Sequence, residues 1–193
     1  MIAQPVVEWP RPPVGGYTAD DLDRLADLPP HTELIDGSLV FASPRNAFHS
    51  LAIDLLGQGL RRTAPTHLRV RREMSVTLGP RQRPEPDLLV VQARAETGPD
   101  QTWYPPEAVE LVVEVVSPDS EERDRERKPQ LYARAGIRYF WRVEDGSGGA
   151  IVVYAYELDP ATHAYALTGI YHDRLTVSLP FAVDVDLTEI DRL

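Results

Sequence analysis

Three acidic residues interrupt segments that otherwise have the pattern of buried β-strands. Glu114 lies within the apolar run LVVEVV, Asp87 directly precedes LLVV, and Glu33 lies in a short strand before an Asp-Gly turn. An unpaired carboxylate is costly to bury, so each acid must be neutralised, ion-paired or bound to a metal. Taken singly, each also has a structural explanation, such as a solvent-facing side chain, a strand cap or a pair with a buried arginine.

The spacing of two of these acids indicates a metal site. Strands that begin near residues 87 and 110 can pair in one sheet, and this pairing would bring Asp87 and Glu114 together. Close carboxylates repel each other unless a cation lies between them. Neither histidine nor cysteine accompanies them, so Mg²⁺ or Mn²⁺ fits better than zinc. Such an ion can polarise a phosphoryl oxygen and activate water, which is the chemistry of phosphodiester hydrolysis.

The composition is that of one globular domain. With 193 residues, 42% of them hydrophobic and 26% charged, the chain is neither disordered nor fibrous. We predict a flexible N-terminal arm over residues 1–16 and a single domain over 17–193. The chain has no cysteine, no apolar stretch of about 20 residues and no signal-peptide pattern, so we expect a cytoplasmic protein without a membrane segment.

The net charge of −10 weighs against indiscriminate binding to nucleic acid, because such binding needs a positive surface. Seven arginines between residues 61 and 83 leave two alternatives open for that stretch. It forms either a local basic face or an ordinary solvated surface.

The acids must be positioned by a mixture of helices and strands. Helices are predicted in TADDLDRLADLP with Thr18 as N-cap, from Asn46 to Arg62, and in SPDSEERDRERKPQLYARAG, broken or kinked at Pro129 and ended by Gly136. Strands are predicted in the hairpin HTELIDGSLVFAS, in LRVRREMSVTL, in PDLLVVQA and at residues 110–116. Four further segments, IRYFWRVE, AIVVYAYEL, AYALTGIYH and LTVSLP, predict a C-terminal antiparallel meander.

This order of elements predicts an α/β (α+β) domain, with a mixed β-sheet flanked by helices. Four aromatic residues around the last predicted helix and the following strand are expected to pack in the core rather than to stack on bases. They are Tyr132, Tyr139, Phe140 and Trp141.

The chain also resembles a known family, the Uma family (Uma-two) of restriction-endonuclease-like proteins in the PD-(D/E)XK nuclease superfamily. The resemblance runs from about residue 17 to about residue 185. Its motifs, in order, are ELIDG, SPRNAFHSLAIDLL, PEPDLLVV, LVVEVVSPDS, DRERKPQLYARAGIRYFWRVE and VVYAY. It implies a restriction-endonuclease-like fold and a Mg²⁺-dependent endonuclease that hydrolyses DNA phosphodiester bonds.

The resemblance also assigns roles to the acids. It implies that Asp87 and Glu114 bind the divalent metal with help from a main-chain carbonyl near Val115. It further implies that Glu33 completes the acidic site, through water or a second ion. His49 lies in a matching segment and is a candidate for lining the site, although a histidine on an apolar helix is more often a core residue.

The chain departs from the superfamily pattern at position 116. The superfamily places a lysine two residues after the glutamate, on the same face of the strand, where this chain has Val116. In similar proteins the lysine has migrated to the following helix, and Lys128, the single lysine here, lies at that position. It would orient the attacking water or stabilise charge on the phosphoryl group. Asp124, four residues earlier, would hold it or cap charge, and the alternative is a solvated lysine on a charged helix.

Other functions remain open at this stage. The net charge and Val116 also suit a catalytically inactive module of the same fold that binds nucleic acid or protein. A carboxylate pair for glycoside hydrolysis is disfavoured because the strand around Glu114 has the pattern of a buried one. DNA is the expected partner, a homodimer would suit cleavage of both strands, and the target sequence is not predicted. Convergence of the three carboxylates and the Lys128 amine within about 8 Å would support the metal site.

Overall fold

A mixed β-sheet with helices on both faces forms the fold. The structure is a computed structural model that describes residues 11–192, apart from the side chain of residue 147. Its strands are β1 Glu33–Ile35, β2 Ser38–Val40, β3 Leu68–Arg72, β4 Ser75–Val76, β5 Leu88–Gln92, β6 Trp103–Tyr104, β7 Val109–Val115, β8 Tyr139–Asp145, β9 Ile151–Asp159, β10 Ala164–Tyr171, β11 Arg174–Val177 and β12 Val183–Asp186.

The helices are fewer and lie between these strands. They are α1 Ala19–Arg24, α2 Ala47–Thr63 and α3 Lys128–Arg134, with a π-helical turn at Arg123–Arg127 and short 3-10 turns at Ala93–Ala95, Pro106–Ala108, Ser147–Gly149 and Leu187–Arg192. No helix in the described part of the chain is both long enough and apolar enough to cross a membrane.

The central sheet has six strands in the order β10-β9-β8-β7-β5-β3. Strands β5 and β7 are antiparallel neighbours, and the pair Leu88 and Val113 fixes their register. Continuing that register by one residue places Asp87 beside Glu114, as the sequence predicted. Strand β8 is parallel to β7, and the π-helical turn and α3 form the crossover between them.

The sheet separates two hydrophobic cores. One core lies between the sheet and α2 and includes Val113 and Trp141, and the other lies on the α3 side and includes Val112 and Tyr132. Because side chains alternate along a strand, Glu114 projects to the same side as Val112, toward α3. The four aromatic residues expected in the core are all buried, Tyr139 and Trp141 on the α2 side and Tyr132 and Phe140 on the α3 side.

Local sequence signals fix several of these elements. Thr18 caps α1, and its N–H donates to the Asp21 carboxylate at 2.8 Å. The side chain of Asn46 caps α2. At the β1–β2 turn, Asp36 and Gly37 both have positive φ, 54° and 77°, as a tight primed turn requires.

The structure differs from the sequence-based prediction at the helix before α3. The irregularity is not at Pro129 but in the π-helical turn before it, and Pro129 lies in the first turn of α3. A proline is compatible with that position because the first N–H groups of a helix have no intrahelical partner.

The strand predictions need two corrections. The meander consists of β8, β9 and β10, whereas the predicted strand LTVSLP corresponds to β11, which pairs with β12 in a separate two-stranded sheet. The predicted strand LRVRREMSVTL is divided into β3 and β4, because Glu73 between them has a positive φ of 53°. Strand β4 then pairs with β6.

The arginines from 61 to 83 form no uniformly basic face, because acids neutralise most of them. Arg69 and Arg71 pair with Glu96, Arg72 with Asp54 and Glu73, and Arg83 with Asp23. Of the two alternatives that the sequence left open for this stretch, the structure therefore favours an ordinary solvated surface over a local basic face.

The predicted N-terminal arm falls mostly outside the structure. Residues 1–10 lie outside the described residues, and residues 11–16 lie in turn and irregular backbone before α1. The division into an arm and a single domain stays a prediction.

Candidate active site

A recess of about 60 Å³ collects the residues that the sequence predicted to act together. Glu33 comes from the start of β1, Asp87 from the residue before β5, Glu114 from β7 and Lys128 from the start of α3. His49 on α2 also lines this recess. The recess has room for a few water molecules but not for a nucleotide. A nucleic-acid strand would therefore have to lie across its mouth.

Lys128 lies at the centre of a buried ion cluster. Its Nζ is 2.9 Å from Glu33, 3.1 Å from Glu114 and 3.2 Å from Asp124. The lysine is only 4% exposed. Burial opposes its charged form, but the carboxylates of Asp124 and Glu114 outweigh this effect and raise the pKa of Lys128 well above its usual value. The amine therefore stays charged at neutral pH.

Glu114 has a hydrogen-bond donor for each carboxylate oxygen. Oε2 accepts from Lys128, and Oε1 accepts from the hydroxyl of Tyr132 at 2.5 Å. Burial raises the pKa of Glu114 well above its usual value, and the nearby carboxylates of Asp124 and Asp87 raise it further against the effect of Lys128. Burial and Glu114 likewise raise the pKa of Tyr132, so its hydroxyl remains a donor.

Asp87 is held from both sides. The Val115 N–H donates to Oδ2 at 2.7 Å, and Arg45 donates to Oδ1 at 2.6 Å. His49 Nε2 is 3.1 Å from the same Oδ1. Burial acts to raise the pKa of Asp87, but His49 and Arg45 overcome it and hold the pKa below its usual value. Asp87 is therefore ionised at neutral pH.

The structure brings together all the side chains that the sequence singled out. Val115 contributes its N–H to Asp87, and the role of a main-chain carbonyl near it stays a prediction. Sequence reasoning missed Arg45, whose only signal is its place directly before the N-cap of α2. It also missed the polar role of Tyr132, which a spacing of four residues from Lys128 would have indicated.

The donor set fits a hard divalent cation. Within residues 11–192, no group of three or more histidine, aspartate or glutamate side chains is arranged to hold a metal ion. Asp87 and Glu114 would supply two oxygen ligands, and Mg²⁺ commonly keeps several waters beside one or two carboxylates. Five carboxylates, including Glu73 at 3.1 Å from Arg45, face Lys128 and Arg45, and the excess negative charge appears in the raised pKa values of Glu114 and Asp124. A cation would offset that charge.

A family model described as "Uma2: Putative restriction endonuclease" matches residues 19–188. The chain belongs to the Uma2 family. This match covers most of the chain and includes every residue of the recess. A search of the curated proteins finds no match.

A solved structure supports the same fold. It is the crystal structure of "a putative nuclease belonging to DUF820 from Anabaena variabilis ATCC 29413". The TM-score is 0.66 at 16% identity, and the alignment covers 90% of this chain and 96% of the other. At this identity the similarity concerns the fold alone. The fold class is restriction-endonuclease-like, as the resemblance in the sequence implied.

Proposed function

We propose that this Uma2 family protein is a divalent-metal-dependent endonuclease that hydrolyses DNA phosphodiester bonds. The observation that carries the proposal is the convergence of Asp87, Glu114 and the Lys128 amine in one buried recess. Burying so many charges is expensive, so a chain that keeps them together gains something other than stability. Phosphodiester hydrolysis is the reaction that best fits both these groups and the family.

Asp87, Glu114 and a main-chain carbonyl near Val115 would hold Mg²⁺ or Mn²⁺. When bound, the ion supplies polarisation of a phosphoryl oxygen and a lower pKa for a coordinated water. The Val115 N–H and the Tyr132 hydroxyl orient the two carboxylates. These contacts limit the rotation of both side chains and so preorganise the site.

Lys128 would orient the attacking water or stabilise the charge that develops on the phosphoryl group. A compact ammonium is suited to this role because it can act as a point charge at close range. Glu33 and Asp124 hold the amine at the recess through their ion pairs. Glu33 therefore acts on the lysine directly, in addition to any contact through water with a metal.

The test is cleavage of supercoiled plasmid and of a single-stranded oligonucleotide with Mg²⁺, Mn²⁺ or EDTA. We expect metal-dependent cleavage by the wild type and a loss of at least about 100-fold in Asp87→Asn and Glu114→Gln, because each change removes an anionic ligand. Asp100→Asn changes an exposed acid outside the recess and serves as the matched control.

Control and site variants with the same residual activity would indicate a contaminating nuclease and contradict the proposal. No cleavage by the wild type of either substrate with either metal would also contradict it.

A second candidate is an inactive module of the same fold that binds nucleic acid or protein. It is favoured by one observation, namely that Lys128, Tyr132 and Arg45 already satisfy the two carboxylates without a metal. Calorimetric titration with Mn²⁺ separates the candidates. The nuclease requires binding that Asp87→Asn abolishes, whereas the module does not. A homodimer and a cytoplasmic location stay predictions within the leading proposal.

A further inference from the structure

Among the cations that line the recess, Arg123 is the one that has no partner within the described residues. The other cations that line the recess are all paired: His31 with Glu85, Arg45 and His49 with Asp87, and Lys128 with its three carboxylates. The side chain of Arg123 forms no ion pair or hydrogen bond within residues 11–192, and its buried Nε has no hydrogen-bond partner there. This arrangement is unusual because Asp119 and Asp124 line the same recess.

The backbone of Arg123 is tied to the site. Arg123 begins the π-helical turn, and its carbonyl accepts from the N–H of Lys128. The side chain is only half-buried, so part of its guanidinium can meet a ligand at the mouth of the recess. Single π-helical turns often occur at functional sites, where they change the direction of side chains relative to a regular helix.

A buried N–H without an acceptor is costly. The Nε atoms of Arg83 and Arg142 are in the same state, but both side chains form ion pairs, whereas Arg123 forms none within residues 11–192. A guanidinium presents its donors in a planar fork that matches the oxygens of a phosphate. The recess otherwise carries an excess of carboxylates, which would repel a phosphodiester as it approaches. A cation without a counter-ion at this position would oppose that repulsion.

We propose that Arg123 binds a backbone phosphate of the DNA strand at the mouth of the recess. The identity of the ligand rests on the proposed function, but the binding does not require cleavage. The contact positions the strand over Asp87, Glu114 and Lys128. It carries no base specificity, because phosphate contacts fix register and orientation rather than sequence.

The experiment measures binding of a fluorescent single-stranded oligonucleotide by anisotropy over a range of salt concentrations, in EDTA and again with Ca²⁺. The variants are Arg123→Met, which keeps an apolar stem, and Arg123→Lys, which keeps the charge. Arg134→Met is the matched control, because it removes an exposed arginine on α3 that does not line the recess. Urea denaturation of each protein without DNA accompanies the binding assay.

We expect Arg123→Met to weaken binding about tenfold and to reduce the slope of log Kd against log salt by about 0.7, the value of one lost phosphate contact on a single strand. Arg123→Lys should restore the salt slope but only part of the affinity. Arg134→Met should leave both unchanged. The midpoint of urea unfolding should not fall in Arg123→Met, because the removed donor has no partner within residues 11–192.

Unchanged affinity and salt slope in Arg123→Met would overturn the inference. So would a lower urea midpoint that accompanies the loss of binding, because it would assign Arg123 a structural role. A wild type that binds no DNA would refute both this inference and the proposed function. A wild type that binds DNA through Arg123 but never cleaves it would refute the nuclease alone.

Discussion

At the scale of single residues, the main feature of the site is that its charged side chains are buried. Asp87 and Glu114 each lie in strand segments that are otherwise apolar, and each is surrounded by donors that make its burial tolerable. The two carboxyl groups respond in opposite ways, since the pKa of Asp87 is lowered and that of Glu114 is raised. The contrast arises because Asp87 faces Arg45 and His49, whereas Glu114 shares Lys128 with two other acids.

Replacing Lys128 should be costly. Lys128→Met removes the cation shared by Glu33, Glu114 and Asp124, and breaking a buried ion pair typically lowers the free energy of unfolding by about 3–5 kcal/mol. Urea denaturation at pH 7 measures this loss. Arg125→Met, which removes an exposed cation paired with Glu144, should cost about 1 kcal/mol or less.

The cost of Lys128→Met should also depend on pH. Folding raises the pKa of Glu114 above its ordinary value of 4.5. Such a carboxyl lowers the stability of the folded state at pH values above 4.5, and this destabilisation disappears as the pH falls toward 4.5. Without Lys128 the effect should be larger, so the difference between variant and wild type should shrink as the pH is lowered from 7 toward 4.5. A loss equal to that of Arg125→Met, or independent of pH, would contradict the central role of Lys128 in the cluster.

At the scale of elements, the start of α2 positions two of the groups that hold Asp87. Asn46 caps the helix by accepting from the N–H of His49 at 2.9 Å, and Arg45 directly precedes the cap. One polar side chain therefore sets where the helix begins and where Arg45 and His49 point. The π-helical turn positions two further groups of the recess, because it contains Asp124 and Lys128 directly follows it.

Removing the cap should therefore affect both stability and the site. Asn46→Ala is expected to lower the free energy of unfolding by about 1 kcal/mol, because the N–H of His49 loses its acceptor. Asn46→Ser, which retains a capping oxygen, is the control and should lose far less. Urea denaturation checks the stability, and equal losses in both variants would show that the cap is not the cause.

At the scale of the whole molecule, the distribution of charge and the free strand edge matter most. The net charge is −10, and most of the arginines between residues 61 and 83 are already paired with acids. The stretch from 61 to 83 therefore offers no broad basic surface, and the DNA contact proposed above depends on Arg123 at the mouth of the recess. The sheet ends at β10, an edge strand whose Leu167 and Ile170 are 51% and 46% exposed, and such an edge can pair with another chain.

The predicted homodimer can be tested at that edge. We expect the wild type to sediment as a dimer at micromolar concentration, and Leu167→Lys to weaken association by at least about tenfold, because a lysine on an edge strand opposes strand pairing. Leu179→Lys changes another exposed leucine, 49% exposed and outside β10, and serves as the control. A monomeric wild type, or equal weakening by both variants, would contradict this interface.

The sequence by itself determined the local signals that begin helices and turns near the site, and the four charged residues Glu33, Asp87, Glu114 and Lys128. Thr18, Asn46 and the Asp-Gly turn act through neighbours in the chain, so their roles could be predicted locally. The acids could be identified because a charge within a strand of apolar residues needs a partner. The family could be identified because its motifs occur in order along the chain.

Only the tertiary structure decided how these groups are paired. Arg45 donates to Asp87, which is 42 residues away in the sequence. Tyr132 donates to one carboxylate oxygen of Glu114 and Lys128 donates to the other. Strand β11 pairs with β12 instead of extending the meander, although its local pattern suits either arrangement. The unpaired state of Arg123 is likewise invisible in a sequence, because whether a cation has a partner depends on the distances that the fold imposes.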